Sequence, residues 1–225
     1  IGQVNGDEVI SVDAPYRKAT ITKAPNFTDE ESPTIRYSNP IGDSAYKVQV
    51  GISLNNGANM QIAYRDVSKT GNTYTFNFTD NERAYLRSYN KKSLTVPLMY
   101  YIRTYRTSSS YEISGISATM TIINGEPTLD PTITDTNSNT VAVTGNNQVI
   151  VKGMSTVSYS AGAAASKGAD INVINVVNGN QKKTYNTGTF NEPTSGDFRF
   201  SVIDSRGLAT SQTINATLIN YFKPT

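Results

Sequence analysis

The 225-residue chain contains no cysteine, no histidine and no tryptophan. Without cysteine there is no disulfide framework, no zinc-thiolate site and no thiol nucleophile. Without histidine, a Ser-His-Asp triad, an imidazole base and a His-ligated metal are excluded. Charge is scarce as well. Charged residues make up 17% of the chain, and 20 basic against 18 acidic residues leave a formal net charge of +2. That balance points to neither nucleic acid nor anionic lipid as a partner. No apolar run approaches the roughly 20 residues of a membrane helix. The start, Ile1-Gly2-Gln3-Val4-Asn5-Gly6-Asp7, is too polar for a signal peptide. It also lacks an initiator Met, which predicts a segment cut from a longer protein.

What is abundant is polar and uncharged: 28 Thr, 23 Asn and 22 Ser. A chain of this length predicts one or two domains, and internal echoes favour two. Thr121-Ile122-Ile123-Asn124-Gly125-Glu126-Pro127-Thr128 returns as Thr217-Leu218-Ile219-Asn220-Tyr221-Phe222-Lys223-Pro224-Thr225, and Pro33-Thr34-Ile35 as Pro131-Thr132-Ile133. Each reads as a junction where a strand ends and Pro, which cannot continue a ladder, opens the next unit. The expected organisation is a remnant of a preceding module or linker over 1–24, module one over 25–126 and module two over 127–225.

Within the modules apolar residues alternate with polar ones, the period of half-buried strands. Tyr46-Val48-Val50-Ile52-Leu54, Tyr74-Phe76-Phe78, Leu98-Tyr100-Ile102 and Ile116-Ala118-Met120-Ile122 are the runs of module one. Those of module two include Val141-Val143, Val149-Val151, Val157-Tyr159, Phe198-Phe200-Val202 and Ile214-Ala216-Leu218. Asn55-Asn56-Gly57, Thr107–Ser110 and Asp204–Gly207 are expected turns. Thr79-Asp80-Asn81-Glu82 has capping-box spacing and predicts one short helix over about 80–88, crossing between sheets. Ala161–Gly168 is open between a helical turn and a loop. The fold expectation is all-β: two tandem antiparallel β-sandwiches, immunoglobulin-like in size and alternation, with one short helix in the first.

Few motifs suggest chemistry. Asp135-Thr136-Asn137-Ser138-Asn139 matches the start of a calcium loop, but Thr140 and Asn146 stand where Gly and Glu are required. A polar turn is the better reading, with a loop-borne calcium site using Asp130 or Asp135 left open. The acidic run Asp29-Glu30-Glu31 reads as a solvated entry loop rather than a glycosidase pair. Tyr100, Tyr101, Tyr105 and Tyr111 crowd around one hairpin with Arg103 and Arg106. Tyr and Arg suit interfaces, so Tyr105, Arg106 and Tyr111 form the candidate binding site. A wet sheet face of amphipathic side chains is the plainer reading.

Several ordered segments resemble one family. They include Ala24-Pro25-Asn26-Phe27-Thr28-Asp29-Glu30-Glu31-Ser32-Pro33, Ala63-Tyr64-Arg65-Asp66-Val67-Ser68-Lys69-Thr70-Gly71, Tyr74–Arg83, Ala165-Ser166-Lys167-Gly168-Ala169 and Asp204-Ser205-Arg206-Gly207. Together they are similar to the uncharacterised minor structural proteins of streptococcal siphophages and to their immunoglobulin-like modules. The resemblance implies a virion setting: a phage tail, baseplate or fibre component for host attachment, outside the cell. It implies no catalytic residue, metal or cofactor. The expected partners are other tail subunits. By analogy with phage fibres, the full-length protein would assemble as a homotrimer. The leading expectation is therefore a non-enzymatic spacer and docking segment. Its alternatives are a binding module for host cell-wall polysaccharide and a bacterial surface adhesin repeat.

Overall fold

The structure, a computed structural model, describes residues 17–54 and 61–221. The expected turn at Asn55-Asn56-Gly57 lies outside these residues, as do most of residues 1–24. In the first half of the chain the strands are β1 (Thr20–Lys23), β2 (Phe27–Thr28), β3 (Thr34–Ser38), β4 (Lys47–Ser53), β5 (Ile62–Val67) and β6 (Thr73–Thr75). Helix α1 (Asp80–Tyr89) and strands β7 (Thr95–Tyr105) and β8 (Tyr111–Thr121) follow. The second half has β9 (Thr132–Asp135), helix α2 (Ser138–Thr144), β10 (Val149–Val151), β11 (Thr156–Ser160) and β12 (Ile171–Asn178). It closes with β13 (Gln181–Lys183), β14 (Thr187–Asn191), β15 (Asp197–Asp204), β16 (Ala209–Asn215) and β17 (Thr217–Ile219).

One pairing scheme occurs twice. A three-stranded sheet β1-β3-β6 is matched by β9-β11-β14, and the order β8-β7-β4-β5 is matched by β16-β15-β12-β13. The long pairs β4–β7, β12–β15 and β15–β16 are antiparallel. Two short pairs, β2 with the end of β8 and β10 with β17, are parallel. Two facing sheets, with an early strand that leaves one sheet to run beside the last strand of the other, make an immunoglobulin-like sandwich. The fold is all-β, with two short α-helices among the described residues.

The scheme corrects the first boundary. Ile21 pairs with Tyr37 across β1 and β3, so residues 20–23 open the first repeat rather than end a preceding one. The equivalent of β9 is β1, Thr20-Ile21-Thr22-Lys23 against Thr132-Ile133-Thr134-Asp135. The echo of Pro33-Thr34-Ile35 in Pro131-Thr132-Ile133 joins non-equivalent strands.

Two compact units form. The first comprises residues 1–26, 32–77 and 97–119, and the second 27–31, 78–96 and 120–225. In the first, alternate residues Val48, Val50 and Ile52 of β4 and Leu98, Tyr100 and Ile102 of β7 are buried. The Phe76 ring packs against Tyr100 at 5.5 Å, and Ala19 N–H donates to the buried Thr104 hydroxyl at 2.8 Å. The core of the second unit holds Ile133, Ile150, Val157, Tyr159, Val176, Phe190, Phe198 and Phe200. Phe190 lies 5.7 Å from Phe198 edge-on and 5.2 Å from Tyr159. Each buried Phe contributes roughly 1.5–3 kcal/mol, about what one disulfide adds to a small domain. A Cys-free chain of this size therefore needs no cross-link.

Helix α1 begins as expected. Thr79 accepts from Glu82 N–H, and Glu82 accepts from Thr79 N–H at 2.9 Å. It connects β6 to β7, strands of different sheets. Helix α2 corrects the strand expected at Val141-Val143. Asn137 caps its start by accepting from Asn139 N–H at 3.0 Å. Gly145, left-handed at φ 66°, ends it. Caps at both ends outweigh the β-branched pattern between them. Ala161–Gly168 is a loop with a single bridge, not a helix.

Candidate functional site

The candidate hairpin forms as expected. Arg106 N–H donates to Ser110 O at 2.9 Å and closes the tip between β7 and β8. Tyr105 and Tyr111 come together, with ring centroids 5.2 Å apart. Tyr111 is 43% exposed, while Tyr105 is 8% exposed and covered. Arg106 does not join them. It pairs with Glu112 at 3.3 Å on an exposed rim.

The better-organised cation is Arg103, two positions before Tyr105 on the same strand face. Its guanidinium sits 3.7 Å from the Tyr64 ring centroid and 4.5 Å from that of Tyr111. Lys47 stands 4.4 Å over Tyr105. Burial pushes the Tyr64 phenol above its ordinary value, and the Arg103 charge opposes the rise. The stacked geometry gives neither Tyr64 Oη nor Arg103 Nε a directed hydrogen bond. Lys47 and Tyr64 lie on β4 and β5 and escaped sequence reasoning. The missing signal was register: β4 pairs Lys47 with Tyr105 and Gln49 with Arg103.

The second cluster centres on Asp29 in the second unit, a correction to the expected solvated loop. Its carboxylate is 1% exposed. Oδ1 accepts from Ile123 N–H at 2.9 Å. Oδ2 takes Arg87 Nε at 2.6 Å and Lys167 Nζ at 3.1 Å. Lys167 also donates to Glu30 and to Ile123 O, both at 2.6 Å. Burial alone would raise the Asp29 carboxyl, but the Ile123 amide and the Lys167 and Arg87 cations outweigh it and hold it below its ordinary 3.8. A carboxyl kept ionised in this way is unsuited to be the proton donor of a glycosidase. Glu30 and Glu31 are exposed.

Arg206 extends the cluster by donating to main-chain oxygens: Arg87 at 2.7 Å, Lys167 at 3.0 Å and Ser93 at 3.2 Å. The Asp204–Gly207 turn that presents it is shaped by Asp204 Oδ1, which accepts from the N–H groups of Arg206 and Leu208 at 2.9 Å each. Gly207 supplies the required φ of 84°.

Asp135 resolves the calcium question for its own loop. Its two oxygens accept from Thr140 and Ser155 hydroxyls at 2.5 and 2.6 Å, and from Asn137 and Thr156 N–H groups at 3.0 and 3.1 Å. Four donors occupy the lone pairs a cation would need. Asp135 is a folding carboxylate that anchors the start of α2. No group of three or more potential metal-ligating residues occurs among the described residues.

No protein-family model matches the chain, and no curated protein matches it. Among solved structures it is similar to the FN1–FN3 domains of chicken CNTN1, at 10% identity over 89% of this chain and 68% of that one, TM-score 0.29. It is similar to Dpr11 IG1 bound to DIP-gamma IG+IG2, at 8% identity over 90% of this chain and 96% of that one, TM-score 0.34. Murine CEACAM1b shares 10% identity over 90% of this chain and 99% of its own, TM-score 0.30.

Proposed function

We propose that the chain is a non-catalytic structural segment of a phage tail, baseplate or fibre protein. It serves as a spacer and offers docking surfaces for other tail subunits near the host. The observation that carries this reading is the pinned connection between the repeats. Ile123 is bonded on both sides, by its N–H to Asp29 and by its carbonyl to Lys167. Gly125 and Pro127 are buried, Thr128 bridges to Ala164, and the Thr210 hydroxyl donates to Pro127 O. The connecting segment is thus held at many points within the second unit and keeps few free dihedrals, as suits a spacer. The strands β5, β13 and β16 are sheet edges, and unpaired edge groups are ready docking sites. The resemblance of the ordered sequence segments supplies the virion setting.

The test is immunogold labelling of particles from the genome that encodes the chain, using antibody raised against it. Label on the tail is the expected result. A tail free of label, with the chain absent from purified particles by mass spectrometry, would overturn the proposal.

A further inference from the structure

The outward face of the sheet β8-β7-β4-β5 in the first unit carries a feature that a spacer does not need. Alternation along β7 puts Met99, Tyr101, Arg103 and Tyr105 on one side, opposite the buried Leu98, Tyr100 and Ile102. Register brings Lys47, Gln49 and Gly51 of β4 beside them. Gln49 is followed on β5 by Asp66, which it holds at 2.8 Å. Tyr64 sits two positions earlier on the same side. On β8, Gly115 keeps the face flat: a Cβ there would lie 2.7 Å from the Tyr101 ring. Tyr101 therefore lies across the glycine, and any larger residue would lift it.

The charges on this face are uneven. Strands β4 and β7 contain no acidic residue. Of the two acids on β5 and β8, Asp66 is bonded to Gln49 and Glu112 to Arg106. Arg103 has no carboxylate partner among the described residues. The rings of Tyr64 and Tyr111 hold it, and among the described residues neither its buried Nε nor Tyr64 Oη beside it has a well-directed hydrogen-bond partner. A half-buried guanidinium usually pairs with an anion in a forked geometry. Here the rings preorganise it and the anion is left to come from outside.

We infer that this face binds an anionic saccharide chain. The rings of Tyr101 and Tyr111 take the flat C–H faces of sugar units, since a phenol combines an apolar face with a hydroxyl at its edge. Arg103 and Lys47 take the acidic substituents. A protein partner is less well matched, because only Ile113 among the β8 aliphatics is exposed, which leaves few apolar anchors on this face. The inference goes beyond the spacer reading and does not depend on it.

The test titrates the full chain by calorimetry and by amide shifts with polygalacturonate, neutral dextran and inorganic phosphate. Polygalacturonate binds, more weakly as salt rises, while dextran and phosphate bind less well. Arg103→Gln weakens polygalacturonate binding by about tenfold. Tyr111→Ala, at a partly exposed ring, also weakens it, and decides the matter if Arg103→Gln disturbs folding, provided its amide shifts outside β7 and β8 stay those of wild type. Tyr185→Ala, at an exposed Tyr of the second unit, leaves binding unchanged. The inference is overturned if no glycan binds, if dextran or phosphate binds as tightly as polygalacturonate, or if Tyr111→Ala binds like wild type.

Discussion

Lys167 Nζ stands 3.1 Å from Asp29 Oδ2, with the two side chains 15% and 1% exposed. Lys167 reaches this carboxylate from a left-handed backbone, φ 46°, a conformation that non-glycine residues seldom adopt. The pair, with Arg87 as second cation, anchors the loop at residues 163–169 and the segment after β8 to the same buried carboxylate. Removing the carboxylate is the harsher change, because it leaves two cations facing each other in a half-buried site. Asp29→Ala is expected to cost about 3–5 kcal/mol. Lys167→Ala leaves Arg87 in place and is expected to cost about 1.5–3 kcal/mol. Denaturant unfolding of the two single variants and the double variant measures both. A double variant that loses the sum of the singles would mean that the pair is not coupled.

Acid should loosen the second unit through two carboxylates. Burial would raise both Asp29 and Asp135, but their hydrogen bonds and, for Asp29, its cations hold both below the ordinary 3.8. A folded value below the unfolded one means stability that is fully present above about pH 4 and is lost as pH falls through the folded values. The melting temperature should therefore be flat from pH 7 to about pH 5 and decline below about pH 4. Asp135→Asn should flatten part of that decline, because it removes one of the two titrating groups. A variant with an unchanged acid profile would show that Asp135 does not contribute.

The connection between the repeats should resist protease. From sequence it reads as a Pro-containing linker, the usual place for a nick. In the structure Ile122, Gly125 and Pro127 are buried, and Ile122 N–H donates to Leu94 O at 2.7 Å. Limited thermolysin and proteinase K digestion followed by mass spectrometry should find no early cut between Ile122 and Pro127. An early cut there in wild type would contradict the pinned connection. In Asp29→Ala the segment should become cleavable.

Much of this architecture was legible because alternation is a local signal. Val48-Val50-Ile52 and Phe198-Phe200-Val202 face inward as their period requires, and the Thr79–Glu82 box starts a helix where its spacing says. The unread parts depend on partners distant in sequence. Asp29 looks like one acid in a solvated run until Arg87 and Lys167 are folded against it. Val141 and Val143 look like a strand until Asn137 and Gly145 cap them. Arg103 outranks Arg106 at the hairpin only because register sets it between Tyr64 and Tyr111. Short Thr-Ile echoes cannot say which strand of a sandwich they belong to, and so they place the start of the first repeat after β1 instead of at it.

Two glycines separate the cost of backbone handedness from the cost of contact. Gly145 and Gly162 both have positive φ, 66° and 54°. A Cβ on Gly145 would meet nothing within 4 Å, whereas one on Gly162 would lie 2.3 Å from the carbonyl oxygen of Asp130. Left-handed backbone costs an L-residue about 1–2 kcal/mol, so Gly145→Ala should lose about that much. Gly162→Ala should lose it as well, and must also push the Asp130 main chain away. That main chain is tied by Asp130 N–H to Ala161 O at 3.2 Å, in the segment that leads from the first repeat into β9. Its backbone therefore has little room to yield. The melting temperature of Gly162→Ala should fall below that of Gly145→Ala, with each kcal/mol worth roughly 2–4 °C in a chain of this size. Equal losses would mean that the loop at Gly162 gives way freely, and the close approach to Asp130 would then contribute nothing to holding the connection.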